Sequence, residues 1–326
     1  MLPTCKPERH PLRSRSRPTL EDGLVSAANM HADEAEIDGE LVRRLVATQL
    51  PQWAALPLER VVSSGTDNAL YRLGADLVVR LPRIDWAVGQ VEKEQQWLPA
   101  LGPLLPLDVP VPVAMGEPDL GYPWRWSVYR WLDGEMATLD NLADVRRAAY
   151  TLGQFAAALQ RIDPTGGPAP GNHNSGRGVD LAEREPFTSE AIANLDGLID
   201  VEAVTLSWQC ALAAPEWDSA PRWIHGDLQA GNLLAVDGRL SAVIDFGCLG
   251  VGDPACDLLV AWNLFSAEAR DVYRSAVGVD EATWLRGLGW ALSTAVVALD
   301  YYRDTNPVLV ASSHRALSEI LAASPP

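Results

Sequence analysis

The spacing of apolar positions along the 326 residues changes character along the chain. After an Asp38-Gly39 start, Leu41, Leu45, Leu50 and Trp53 recur at roughly helical intervals, which predicts a first helix. Three β-rich runs follow: Arg60-Val61-Val62, Ala69-Leu70-Tyr71-Arg72-Leu73 and Leu77-Val78-Val79-Arg80-Leu81. The Gly74-Ala75-Asp76 turn joins the last two, so short antiparallel strands are expected. Residues 86–101 read as a helix stopped at Gly102-Pro103, with Val111-Pro112-Val113-Ala114 and Trp126-Ser127-Val128-Tyr129 as further strands. Beyond Asp133-Gly134 the pattern turns helical. Residues 139–161 form a long amphipathic stretch with Leu152, Phe155, Ala156 and Leu159 on one face. A Gly/Pro/Asn-rich linker (163–178) leads to helices around 181–195 and 201–212, a hairpin at 233–244, and helices again from Pro254.

Composition narrows the class. A chain with 48% hydrophobic and 21% charged residues is an ordinary globular protein, long enough for two cores. Residues 1–37 lack apolar periodicity and are rich in Pro, Arg and Ser, so a disordered tail is expected, with Met30 an alternative start and a transit peptide an alternative reading. The net charge is −17, although residues 1–20 carry a net +4. So acidic a body repels nucleic acids and anionic membranes and would attract a cationic small molecule; solubility alone is the plainer reading. Cys5, Cys210, Cys248 and Cys256 form no C-x-x-C pair, which argues against a disulfide framework or zinc site and suits a cytoplasmic protein. The longest apolar stretch, 287–299, is too short to span a bilayer and reads as a buried helix. Trp124, Trp126, Trp131, Trp208, Trp217, Trp262 and Trp290 are most simply core residues.

The hairpin region holds the chemistry. Trp223-Ile224-His225-Gly226-Asp227-Leu228-Gln229-Ala230-Gly231-Asn232 is followed by Ile244-Asp245-Phe246-Gly247 and Gly252-Asp253-Pro254-Ala255-Cys256-Asp257. Phosphoryl transfer needs these residue types. One carboxylate takes the proton of the acceptor hydroxyl, while a second carboxylate and an amide oxygen, both hard ligands, hold Mg²⁺ against nucleotide phosphates. Singly, Asp227 could form a turn after Gly226, Asn232 cap one, and Asp245 end a strand; none of these explains the joint spacing. No G-x-x-x-x-G-K-[ST] occurs, which disfavours P-loop kinases.

These segments resemble the aminoglycoside phosphotransferase family, whose members share the protein-kinase fold and phosphorylate small molecules. Weaker matches lie at Ser63-Ser64-Gly65-Thr66-Asp67-Asn68, at Val78-Val79-Arg80-Leu81-Pro82 and at 127–135, so the resemblance covers most of 38–310. It implies an α+β, protein-kinase-like bilobal fold. The N-lobe, 38–130, would hold an antiparallel sheet and helix and bind the nucleotide. The mainly helical C-lobe, 131–326, would carry the catalytic loop and the acceptor cleft. It further implies Asp227 as catalytic base and Asn232 and Asp245 as Mg²⁺ ligands, with ATP or GTP as donor. Ser64, Gly65, Thr66 and Asn68 would lie over the triphosphate, a plain hairpin loop being the alternative. Arg80 stands where kinases carry lysine and would grip phosphate, paired with Glu94, or else Glu92, from the next helix. Tyr129, Arg130 and Trp131 fit the connector beside the nucleotide base. His225 is expected to pack behind the loop, Asp257 to bond nearby backbone and Asp253 to support the loop. Pro254-Ala255 begins only seven positions after Gly247, too soon for a protein kinase's peptide-docking segment. A small acceptor hydroxyl is therefore expected. An antibiotic leads, and a choline-, homoserine- or sugar-like metabolite is the alternative; a nucleotide-binding pseudokinase is a third reading. Asp180, Glu183, Glu185, Asp300 and Asp304 are candidate contacts for a cationic acceptor, a solvated face being the plainer account of each.

Overall fold

The structure, a computed structural model, describes residues 34–63, 65 and 67–323. Helix α1 (Gly39–Gln49) begins where the pattern places it, with the Asp38 carboxylate accepting from the Leu41 N–H at 2.8 Å. It packs on an antiparallel sheet of β1 (Leu58–Arg60), β2 (Asn68–Leu73), β3 (Leu77–Pro82), β4 (Pro112–Gly116) and β5 (Trp126–Arg130), in the order β1-β2-β3-β5-β4. Strand alternation sends Tyr71, Leu73, Val79, Leu81, Trp126 and Val128 into a core with Val42, Leu45 and Val46. The other face presents Arg80, Ser127 and Tyr129 to α2 (Gln90–Leu101).

Local chemistry shifts several boundaries from the sequence reading. The first strand lies at 58–60, not 60–62. Helix α2 starts at Gln90 rather than Trp86, because Gly89 adopts φ 90° and ends a short 3₁₀ turn before it. Residues 34–37, read as tail, pack on the sheet: the Ala35 N–H donates to Arg83 O at 2.8 Å and the Tyr71 hydroxyl to Ile37 O at 3.2 Å. Residues 1–33 of the expected tail lie outside the described residues.

The second lobe is mainly helical: α3 (Val145–Arg161), α4 (Glu185–Asn194), α5 (Val201–Leu212), α6 (Val260–Asn263), α7 (Ala267–Val277), α8 (Glu281–Tyr302) and α9 (Pro307–Ala323). Helix α3 begins six residues later than its apolar pattern suggests. Asn141 ties Thr138 and Met136 into a turn, and Asp144 then caps the helix by accepting from the Arg147 N–H at 2.9 Å. Two small antiparallel sheets frame the chemistry. One joins β6 (Glu135–Met136), β8 (Leu233–Val236) and β9 (Arg239–Val243); the other joins β7 (Arg222–Ile224) and β10 (Gly250–Gly252). Its core runs from Leu98 and Tyr129 to Ile320, so the inner face of the small lobe shares it. The fold is α+β and two-lobed. Trp126, Trp208, Trp262 and Trp290 are fully buried, whereas Trp124, Trp131 and Trp217, expected in the core, are half-buried, the last two beneath arginines. Among the described residues no helix is long and apolar enough to cross a membrane; 287–299 lies within α8.

Candidate active site

The loop from β7 to β8 is fixed from behind before it presents anything to the cleft. Both carboxylate oxygens of buried Asp257 accept backbone N–H groups, from His225 and Gly226, each at 2.7 Å. His225 is fully buried, edge-on to Phe246 with ring centroids 4.6 Å apart. Its Nδ1 accepts the Asp227 N–H at 3.2 Å, which leaves the proton on Nε2 for the Ile244 carbonyl at 3.0 Å. Gly226 has φ 83°, and a Cβ there would meet the Cys248 carbonyl oxygen at 2.3 Å. Only glycine fits this turn.

Held this way, Asp227 is 23% exposed at its side chain. Its Oδ2 accepts from Gln229 Nε2 at 2.8 Å and from Asn232 Nδ2 at 2.9 Å, and Arg177 Nη2 lies 3.6 Å from Oδ1. The Asn232 carbonyl accepts the Ile244 N–H at 2.9 Å, bringing the neighbouring Asp245 alongside. Asp245 adopts φ 62° and ψ 72°, an uncommon conformation for a residue with a side chain.

The set continues across to the small lobe. Arg80 Nη2 donates to Asp245 Oδ1 at 2.7 Å and to Gln90 Oε1 at 3.2 Å, while Nη1 bridges the two Glu94 oxygens at 2.6 and 2.7 Å. The Tyr129 hydroxyl donates to Glu94, which is fully buried. Burial alone would lower the Arg80 pKa; Glu94 and then Asp245 more than reverse this and hold it well above the usual range. Burial, followed by the Glu94 charge, pushes Tyr129 up, so its phenol keeps the proton it donates. Lys93 on α2 donates to the Gly247 carbonyl at 2.6 Å and to His173 O at 3.1 Å; burial pushes its pKa down to about 8.

Whether the donor set suits a divalent cation can be read from which oxygens remain. Asn232 spends its Nδ2 on Asp227, and Asp245 spends Oδ1 on Arg80 and Gly247. Asn232 Oδ1 and Asp245 Oδ2 accept nothing from the described residues. Both are hard oxygens, the donor type Mg²⁺ takes together with phosphate oxygens and water. The residues fit such an ion.

A family model described as phosphotransferase enzyme family, APH, matches residues 59–318. The chain belongs to that family. No curated protein sequence matches it. Solved structures share its fold at low identity. An aminoglycoside 2'-phosphotransferase-IIIa mutant bound to GDP superposes with a TM-score of 0.70 at 21% identity, covering 87% of this chain and 98% of the other. An APH(2″) enzyme in complex with GDP and kanamycin gives 0.69 at 22% identity, covering 86% and 98%. The macrolide 2'-phosphotransferase MphH from Brachybacterium faecium gives 0.55 at 20% identity, covering 88% and 98%.

In this phosphotransferase the remaining candidates scatter. Ser64 and Thr66 lie outside the described residues; Gly65 donates its N–H to Ser63 Oγ at 3.0 Å. Asn68 lies against Arg80; with its amide oxygen assigned to face the guanidinium, that oxygen is within 2.9 Å of Nη2 and 3.2 Å of Nε. Tyr129 lies inside β5 rather than in the connector, its ring buried behind Glu94. The Arg130 N–H is taken by Val111 O and the Trp131 N–H by Asp76 O. The Trp131 indole N–H goes to Asp133 at 2.9 Å, with Arg72 over its ring. Glu92 pairs with Arg125 at 3.2 Å, leaving Glu94 to Arg80. Asp253 caps the 254–258 turn and pairs with Arg286 at 2.8 Å. Of the acidic candidates, Asp180 caps a turn, Glu185 accepts from Ser189 and Trp208, Asp300 accepts from Asn194, and Asp304 lies 3.8 Å from Arg303. The sequence reading missed Gln229, Lys93 and Arg177. Gln229 stands two residues from Asp227 and was within reach of a local argument; Arg177, fifty residues upstream in a loop, carried no such signal.

Proposed function

We propose that the chain transfers the γ-phosphoryl group of ATP or GTP to a hydroxyl of a small molecule. The observation that carries this is one unbroken set of contacts, Asp227 to Asn232, then through the Ile244 backbone to Asp245, Arg80, Glu94 and Tyr129, joining both lobes. Asp227 is the base. Its carboxylate orients the acceptor hydroxyl and takes its proton as the oxygen bonds to the γ-phosphorus. The bond from that phosphorus to the β-phosphate bridging oxygen breaks, and the nucleoside diphosphate leaves with the electron pair. Asn232 and Asp245 would hold Mg²⁺, which neutralises charge on the phosphate oxygens. Arg80 anchors the phosphates, aimed by Glu94, with 38–130 as the nucleotide lobe and 131–326 supplying the acceptor cleft.

Two acceptor classes fit. Antibiotics are what the neighbours' descriptions name: kanamycin, gentamicin and streptomycin complexes, and macrolide phosphotransferases. A metabolic hydroxyl compound is favoured by Arg177, a cation 3.6 Å from Asp227, and by Arg184 next to it, where an ammonium-rich acceptor would need acids. The intact Asp227, Asn232 and Asp245 argue against a pseudokinase. Asp227→Asn should lower acceptor-dependent diphosphate release by at least ~10²-fold while nucleotide still binds. Undiminished turnover in that variant would remove the proposed base.

A further inference from the structure

In this acidic chain, deeply buried arginines have their own carboxylates. Arg80 has Glu94, Arg270 has Glu319 at 2.9 Å and Arg286 has Asp253 at 2.8 Å. Two partly buried arginines, Arg177 beside Asp227 and Arg184 beside Arg177, break the pattern. Arg177 and Arg184 both face the fully buried indole of Trp290, with guanidinium carbons 5.6 and 5.4 Å from its centroid. The nearest carboxylate of Arg177, whose side chain is 12% exposed, is Asp227, at 3.6 Å. No carboxylate of the described residues lies within 4.0 Å of Arg184, whose Nε donates to Ser293 Oγ at 3.3 Å. Arg177 Nε and Trp290 Nε1 are both buried without an acceptor. Burial, and secondarily the Arg177 charge, pushes the Arg184 pKa down to about 10. Burial also holds the Cys248 thiol neutral, up to about 12, so Cys248 adds no negative charge near Arg177 at neutral pH.

Of the two cations only Arg177 has a carboxylate within reach, and that carboxylate is the proposed base, which loses its charge on taking a proton. Stacking on Trp290 recovers less than burying an unpaired charge costs. An anionic ligand would supply the missing charge. We propose that the acceptor bears a carboxylate or phosphate that seats on Arg184 and Arg177 over Trp290 while its hydroxyl meets Asp227. Hydroxy acids and sugar phosphates are then the acceptor class, and polyammonium compounds are disfavoured. The inference rests on Asp227 acting as the base.

The test uses the intact chain with sulfate as anionic probe and a matched acceptor series, gluconate and glucose 6-phosphate against glucose and glucosamine. Sulfate, at constant ionic strength, should raise the melting temperature of the wild type and of Arg184→Lys more than that of Arg184→Gln. It should compete with acceptor and leave the nucleotide KM unmoved. Within the series, kcat/KM should favour the anionic sugars over glucosamine by at least ~10-fold, and Arg184→Gln should erase that preference through KM. Equal sulfate protection in wild type and Arg184→Gln overturns the proposal. So does a preference for glucosamine, or an Arg184→Gln effect confined to the nucleotide KM, which would assign the arginines to the donor phosphates. Turnover that survives Asp227→Asn instead removes the function on which the inference stands.

Discussion

Replacing Arg80 by lysine restores the residue that protein kinases carry, and the structure says it should still weaken this chain. The guanidinium spans two carboxylates from different elements, Glu94 on α2 and Asp245 after β9, and also reaches Gln90. An ammonium on a shorter stem that keeps Glu94 gives up the Asp245 and Gln90 contacts. Each charge-assisted bond is worth about 1.5–3 kcal/mol, and Asp245, at 43% exposed, belongs at or below the lower end. We expect a loss of about 2 kcal/mol in folding stability, or ~3 °C in Tm for a chain of this size. A two-point grip on phosphate becomes a one-point grip, so the nucleotide KM should rise by roughly 10- to 30-fold. Differential scanning fluorimetry and steady-state kinetics with varied ATP and GTP read both. Arg80→Met is the harsher companion, leaving Glu94 buried with only Tyr129 and costing about 3–5 kcal/mol. Arg80→Lys melting within ~1 °C of wild type, with an unchanged nucleotide KM, would refute the argument that the fork is needed.

Tyr129→Phe removes one hydrogen bond to a buried carboxylate and should cost about 1.5–3 kcal/mol by urea denaturation; a neutral result would mean that Arg80 alone satisfies Glu94. Gly226→Ala combines a left-handed backbone with a contact against the Cys248 carbonyl, so a loss of about 3 kcal/mol or more, with turnover lost, is expected; wild-type stability would show that the loop moves freely. Lys93 has its pKa lowered from 10.5 to about 8, so between those values the unfolded chain holds a proton that the folded chain has shed. Folding stability should therefore rise with pH over that window and be flat in this term below it. The wild type should gain relative to Lys93→Met from pH 8 to 10.5, and a constant difference would count against the buried ammonium.

What could be read from the sequence was what one short segment had to contain. Asp227, Asn232 and Asp245 lie within nineteen residues, and the chemistry ties their types to their spacing. Glu94 was reachable because Arg80 sits on a strand whose next helix must supply a partner. The start of α3 was not: Leu139 and Leu142 continue the helical period, but Thr138, Asn141 and Asp144 spend their side chains on the backbone and hold back the first turn. Helix α2 was misplaced in the same way by Gly89, whose left-handed φ is invisible to a periodicity argument. Arg177, Arg184 and Trp290 come from a loop, a 3₁₀ turn and α8, more than a hundred residues apart at the extremes. Only the packing of those elements makes them neighbours, so no local pattern announced them.

The contact between Arg80 and Asp245 has a thermodynamic corollary. One group is suited to phosphate and the other to a metal, and, paired in this way, they neutralise each other. A nucleotide arriving alone would strand the carboxylate beside its own negative charge, and a cation arriving alone would strand the guanidinium. Arrival of both resolves both. Metal and nucleotide should accordingly strengthen each other's binding by the same factor, whichever is titrated first.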